Sequence, residues 1–118
     1  MAETVMEDKV KEKNNFEDNL SCLKGIIELC QEKNVQVVMV WVPVDTIISN
    51  LFDDQRVQII NRTMDELQKE YSNFNYYDLV KDTTFNHADM MNVDHLNRQG
   101  AIKLTKMIND YINDVEKN

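Results

Sequence analysis

The stretch Val35-Gln36-Val37-Val38-Met39-Val40-Trp41-Val42-Pro43 decides the fold class of this chain. Its residues before the proline are β-branched or apolar with the single exception of Gln36, which favours a β-strand. A strand that is apolar along nearly its whole length is typical of a parallel sheet that is buried on both faces. Pro43 ends the strand, because proline has no backbone N–H to donate to a neighbour. We therefore predict a buried strand over residues 35–42.

Apolar residues at helical spacing lie on both sides of this strand in the sequence. They recur every three or four residues, which indicates one buried stripe on each of three helices. The stripes are Phe16, Leu20, Leu23, Ile27 and Cys30 in the first helix, Val57, Ile60, Met64, Leu67 and Tyr71 in the second, and Ala101, Leu104, Ile108, Ile112 and Val115 in the third. Asp53 or Asp54 is placed to cap the second helix and Asn97 to cap the third.

The aromatic segment Phe74–Leu79 predicts a second strand. The order helix, strand, helix, strand, loop, helix predicts an α/β fold with a short parallel sheet. We assign residues 16–118 to a single domain and the polar residues 1–15 to a charged tail or frayed helix. Two strands make a poor sheet, because independent stability usually needs three or more. The strand over residues 35–42 is therefore expected to find neighbours on both edges.

Composition and charge exclude several classes of protein. The 118 residues, 42% of them hydrophobic, suffice for one core. The net charge of −8 disfavours both nucleic acid and anionic membrane surfaces as partners. No signal peptide is recognisable, and the longest apolar run, Val37–Val44, is far too short to cross a bilayer. We expect a soluble, cytoplasmic protein, although a longer parent protein would be compatible with export.

The cysteines and histidines do not suggest a cofactor. Cys22 and Cys30 fall in one predicted helix, separated by about 12 Å of rise, whereas a disulfide needs Cα atoms within about 7 Å. We predict that both thiols are reduced and buried. His87 and His95 lie among aspartates in a polar loop, where such side chains are more often solvated than metal-bound. No metal and no other cofactor is predicted.

The stretch Asp89–Ala101 is the best candidate for chemistry. It places carboxylate, amide and imidazole side chains immediately before the last helix, whose N-terminus offers unpaired N–H groups. In such a loop His95 can serve as a general base, provided that an acidic side chain orients its other ring nitrogen. The alternative is that His95 is a partly buried residue that bonds to the backbone.

The residues Asp94-His95-Leu96-Asn97 followed by Gly100-Ala101 resemble the C-terminal block of the SGNH hydrolase superfamily. The resemblance is strongest to its bacterial branch of acyltransferases and esterases that act on cell-surface polymers. It extends upstream and covers roughly residues 16–112, with similar segments at residues 23–30, 34–40, 43–44 and 76–79. It implies a partial flavodoxin-like, three-layer arrangement with a short parallel sheet, and a carbohydrate ester as the substrate.

The resemblance implies that His95 is the general base. In this family a serine nucleophile lies in an N-terminal block, and a glycine and an asparagine in two later blocks form the oxyanion hole. No such block occurs in these 118 residues. The family places its acid three residues before the histidine, a position that Asn92 holds here, and Asp94 is the nearest carboxylate. Adjacent residues of an extended segment point to opposite sides, so Asp94 is expected to face away from the imidazole.

Two hypotheses follow for the function of the chain. The first is an SGNH-like module related to acyl-ester hydrolases and O-acyltransferases, with His95, Asn92 and Asp94 as its catalytic residues, inactive alone because it has no serine block. The second is a non-catalytic interaction module whose sheet is completed by another chain. In either case a second copy of the chain or a missing N-terminal half is expected to cover the free strand edge. The two hypotheses differ in whether a serine ever comes within hydrogen-bond reach of His95.

Overall fold

The computed structural model describes the backbone of residues 2–117 and the side chains of residues 15–117. Its elements follow one another in the order α1 (Ala2–Glu32), β1 (Val37–Trp41), α2 (Thr46–Ser49), α3 (Asp54–Glu70), β2 (Phe74–Asp78), a 3₁₀ turn (His87–Asp89), β3 (Met90–Asn92), β4 (His95–Leu96) and α4 (Arg98–Lys117). β1 and β2 form a parallel pair, and β3 and β4 form a small antiparallel pair. The predicted α/β class and the short parallel sheet are therefore confirmed.

The outer edge of β1 has no partner strand among residues 2–117. On the inner edge, the Val37 N–H donates to the Asn73 carbonyl at 2.8 Å, and the Trp41 carbonyl accepts from the Leu79 N–H at 2.9 Å. Successive residues of a strand turn their backbone groups to alternate edges. The residues between these two bonds, Val38 and Val40, therefore direct their N–H and C=O groups to the outer edge.

The core lies between α1, α3 and one face of the sheet. Ile27 of α1 is fully buried, and Leu67 of α3 and Phe74 of β2 are 2% and 3% exposed. Met64 and Tyr71 complete this cluster, so the predicted stripe of the second helix is confirmed at its C-terminal half. Its predicted cap is also present, since the Asp53 side chain accepts from the backbone of the first helical turn.

The other face of the sheet contacts α4. The rings of Tyr77 in β2 and Tyr111 in α4 stack with centroids 4.2 Å apart and planes inclined by 10°. Because side chains alternate along a strand, Tyr77 points away from the face that carries Phe74 and Tyr76. Helices thus contact both faces of this two-stranded parallel sheet.

The first helix is less buried than its sequence predicts. Phe16 is 37% exposed and Cys22 is exposed, so the prediction that Cys22 is buried is wrong, and Cys30 is only half-buried. The 31 residues of α1 span about 46 Å, whereas five-residue β1 spans only about 17 Å. The helix therefore extends well beyond the sheet that could cover it. The backbone of residues 2–15 is part of this helix, and the side chains of residues 1–14 lie outside the described part of the chain.

The strand that decides the fold is also incompletely covered. Val35, Met39 and Val42 are 48%, 37% and 45% exposed, so the prediction of a strand buried on both faces is wrong at these positions. The physical reason is the short sheet: Val35 and Val42 lie beyond the paired residues 37–41, and a single neighbouring strand covers only one edge of β1 beside Met39.

Candidate functional site

The N-terminus of α4 is fixed by a side-chain cap and by close packing. Asn97 Oδ1 accepts the Gly100 N–H at 3.0 Å, as its predicted role requires, and the Asn97 N–H donates to the Asp89 carbonyl at 2.8 Å. Gly100 is buried, and a Cβ at this position would overlap the Asp89 carbonyl oxygen and lie 2.9 Å from Leu96 Cδ2. The glycine therefore allows the backbone of residue 89 to approach the helix.

Asp89 anchors the start of the loop that leads to α4. Its side chain is fully buried, and Oδ2 accepts from Lys103 Nζ at 2.8 Å and from the Asn86 N–H at 3.0 Å. The bond from Lys103, followed by that from the Asn86 backbone, holds the pKa of the Asp89 carboxyl below its usual value. A buried carboxylate with a charged partner is a rigid attachment point for the segment that follows.

The segment that follows is the β3–β4 hairpin, which brings the three predicted catalytic residues together. His95 Nδ1 lies 2.7 Å from Asp94 Oδ1 and 2.9 Å from Asn92 Oδ1. The expectation that Asp94 faces away from the imidazole is wrong. Val93 and Asp94 form a turn instead of an extended strand, so the alternation of side chains does not apply there.

This arrangement leaves one ring nitrogen of His95 available to accept a proton. Asn92 Oδ1, which also accepts the Asp94 N–H, hydrogen-bonds to Nδ1 and therefore requires a proton there, whereas the Asp94 carboxylate lies beside the ring as an ion-pair partner. In the neutral ring the lone pair then lies on Nε2, to which no group among the described side chains bonds. The His95 side chain is 63% exposed, which leaves Nε2 accessible. None of the serines, Ser21, Ser49 and Ser72, hydrogen-bonds to His95 in the described part of the chain.

A second carboxylate–imidazole pair was not predicted from the sequence. His87 Nδ1 lies 2.7 Å from Asp45 Oδ2, and the exposed fractions of the two side chains are 86% and 4%. Asp45 Oδ1 accepts the Ile47 N–H at 3.1 Å and thereby caps α2. The hydrogen bond with His87, followed by that from Ile47, lowers the pKa of the Asp45 carboxyl.

The pairing of Asp45 with His87 joins residues 42 positions apart in the chain. Asp45 follows the carboxyl end of β1, and ligands of α/β proteins bind at the carboxyl ends of the strands. That position is the signal by which Asp45 could have been found, whereas nothing in the sequence singles out His87 as its partner. The Asp45 N–H also donates to the Val93 carbonyl at 2.9 Å, which ties this pair to the hairpin that carries His95.

A cavity of about 270 Å³ adjoins the Asp45–His87 pair. The residues that line it include Phe85, Asn86 and Thr46, and also Lys81 and Asp82 in the loop that follows β2. The pair and the cavity therefore form one concave surface, whereas His95 stands on the adjoining hairpin.

Among residues 15–117, no three His, Cys, Asp or Glu side chains converge as a metal site would require. No helix in the described chain is both long enough and apolar enough to span a membrane. The chain matches no family model, no curated protein and no solved structure at a significant level.

Proposed function

We propose that this chain is the acid–base part of an SGNH-like, flavodoxin-like domain that hydrolyses or transfers acyl esters of cell-surface carbohydrate. The single observation that carries the proposal is the hairpin geometry, in which Asp94 and Asn92 both reach Nδ1 of His95 and leave Nε2 accessible. The nucleophilic serine and the oxyanion-hole donors come from polypeptide outside these 118 residues.

His95 acts at two steps of the reaction. Its Nε2 first takes the proton of the serine hydroxyl as the serine oxygen attacks the ester carbonyl. The imidazolium then returns that proton to the departing alkoxide, and the acyl group remains on the serine. A water molecule or a second carbohydrate hydroxyl completes the cycle by the same proton transfers, which gives hydrolysis or transfer respectively.

Asp94 and Asn92 have different roles toward the ring. The Asn92 amide oxygen accepts from Nδ1 and fixes the proton there, whereas the Asp94 carboxylate stabilises the imidazolium by its charge, which an amide cannot do. Asn92 contributes its amide oxygen to the same ring nitrogen and also accepts the Asp94 N–H at 3.2 Å, which holds the turn. Asp94 thus takes the place of the acid that the family carries three residues before the histidine.

The position of the hydrogen on His95 tests this proposal in the chain as it exists. With ¹⁵N-labelled histidine, NMR of the neutral ring should show the proton on Nδ1. Asn92→Ala should move part of the population to the other tautomer, whereas Asn113→Ala, on the exposed surface of α4, should not. A proton on Nε2 in the unaltered chain would exclude the proposed role of His95 Nε2 as the general base.

Catalysis provides a second test. The purified chain should not turn over simple acetyl esters, because none of its serines contacts a histidine in the described residues. Turnover that disappears on His95→Ala would show that the chain contains its own nucleophile and would contradict a serine supplied from outside. A Gly-Asp-Ser-like block encoded next to this chain would supply the serine that the proposal requires.

The outer edge of β1 favours a second candidate function, a non-catalytic module that completes its sheet with another copy of the chain. Val38 and Val40 direct unpaired backbone groups to this edge, and Met39 between them is 37% exposed. Exposed apolar strand edges are templates for pairing with a further strand.

Sedimentation equilibrium at micromolar concentration tests the second candidate. The interaction module requires a homodimer or a higher oligomer, and Val40→Pro should dissociate it by removing an N–H from the outer edge without touching the β1–β2 ladder. A monomer of 13.9 kDa with cooperative unfolding would exclude the self-pairing module.

A further inference from the structure

The carboxylate of the Asp45–His87 pair is more deeply buried than the carboxylate of the Asp94–His95 pair. The Asp45 side chain is 4% exposed, whereas the Asp94 side chain is 60% exposed. Both oxygens of Asp45 are engaged, one by the Ile47 N–H and the other by His87 Nδ1. A carboxylate that is buried and doubly bonded holds its imidazole in one orientation, whereas an exposed ion pair contributes little.

This orientation determines what the site can bind. Because the carboxylate accepts from Nδ1, the neutral ring of His87 presents Nε2 as an acceptor, and a ligand must offer a hydroxyl or amine hydrogen to it. Asn86 Oδ1 is engaged by the Ala88 N–H at 2.9 Å, which leaves its amide N–H groups as donors. Lys81, Asp82 and Thr46 also line the cavity, which therefore combines donors with acceptors and carries both signs of charge.

The remaining wall and the size of the cavity restrict the class of ligand further. The half-buried ring of Phe85 supplies an apolar surface among the polar groups. The volume of about 270 Å³ lies just below the range of pockets that bind drug-sized ligands, so only a small ligand fits. A small ring with hydroxyl groups at its rim and C–H bonds on its face matches these properties.

We infer that the cavity beside Asp45 and His87 is a subsite for one uncharged sugar ring, with a ring hydroxyl donating to His87 Nε2 and the sugar's C–H face on Phe85. The hydrogen bond from Asp45 to Val93 joins this subsite to the hairpin of His95. The inference rests on the proposed function for its place in the reaction, where it holds the carbohydrate next to the ester that His95 processes.

Binding to the isolated chain tests the subsite without catalysis. The probes are methyl β-glucoside and N-acetylglucosamine, titrated while the ¹³C and ¹⁵N resonances of both histidines are followed by NMR. We expect saturable shifts at His87, and His87→Ala should weaken binding about five- to tenfold by removing one hydrogen bond. The His87 side chain is 86% exposed, so this variant should keep its fold, and its far-UV circular dichroism checks that it does.

His95→Ala is the matched control and should bind the sugars as well as the unaltered chain. The absence of saturable shifts at His87, or sugar binding that His87→Ala leaves unchanged, would overturn the subsite. Inorganic phosphate that binds at His87 in preference to the sugars would also overturn it, in favour of an anion site. Each of these results leaves the tautomer test of His95 unaffected, so failure of the subsite and failure of the proposed function are distinguishable.

Discussion

The two glycines of the chain provide a matched pair of substitutions with opposite expected signs. Gly25 lies two turns before the end of α1 and Gly100 in the first turn of α4, so each becomes alanine within a helix. An added Cβ at Gly25 meets nothing within 4 Å. An added Cβ at Gly100 overlaps the Asp89 carbonyl oxygen and lies 2.9 Å from Leu96 Cδ2 and 3.1 Å from Asp89 Cβ.

The magnitudes follow from helix propensity and from overpacking. Alanine in place of glycine inside a helix stabilises by about 0.5–1 kcal/mol, and Gly25→Ala should show this gain in full. At Gly100 the same gain is opposed by overpacking of about 1–3 kcal/mol or more, because the nearest atom belongs to the backbone and cannot rotate away. We expect a net loss of roughly 1–2 kcal/mol for Gly100→Ala.

Urea unfolding followed by far-UV circular dichroism measures both free energies of unfolding. Relief of the overlap must displace the Asp89 carbonyl, which accepts the Asn97 N–H, so Gly100→Ala should also shift the NMR signals of the His95 hairpin. Gly25→Ala should leave those signals in place. If Gly100→Ala proved as stable as the unaltered chain, the backbone of residue 89 would not approach α4 closely, and the hairpin would not be fixed to the helix by this contact.

Three further predictions concern the core, an ion pair and the thiols. Asn73→Ala should lower the free energy of unfolding by about 1–3 kcal/mol, because Asn73 Nδ2 donates to the Ile27 and Val35 carbonyls at 3.1 and 3.2 Å; an unchanged urea midpoint would contradict this. The pKa of Asp89 is lowered in the fold, so stability should fall as the pH drops below the ordinary aspartate value of 3.8, where the unfolded chain binds more protons. Lys103→Met should make this loss of stability on acidification shallower, as urea midpoints at several acidic pH values would show; an unchanged pH dependence would exclude Lys103 as the cause. In the native chain, Cys22 should react with a thiol reagent faster than the half-buried Cys30, and equal rates would contradict the orientation of α1.

Local physical chemistry made much of the fold predictable. The apolar stretch at residues 35–42, ended by Pro43, contained β1 because its composition permits little else. Asp53 and Asn97 cap α3 and α4 as their side-chain chemistry requires. The spacing of the hydrophobic residues in α3 identified which of its faces is buried. These features depend only on residues that are close together in the sequence.

The sequence by itself thus determined the α/β class and the helices, and it placed the candidate residues Asn92, Asp94 and His95 within four positions of one another. The tertiary structure decided the orientation, the burial and the long-range contacts of the side chains. A turn at Asp94 brings its carboxylate onto His95 although alternation predicts the opposite. Cys22 is exposed because it lies off the stripe of α1 on which its neighbours Leu20 and Leu23 pack against the core. The contact of Asp45 with His87 exists only because two loops meet at the carboxyl ends of neighbouring strands. The physical reason is that spacing and capping act over a few residues, whereas burial and long-range hydrogen bonds depend on how complete elements are placed together.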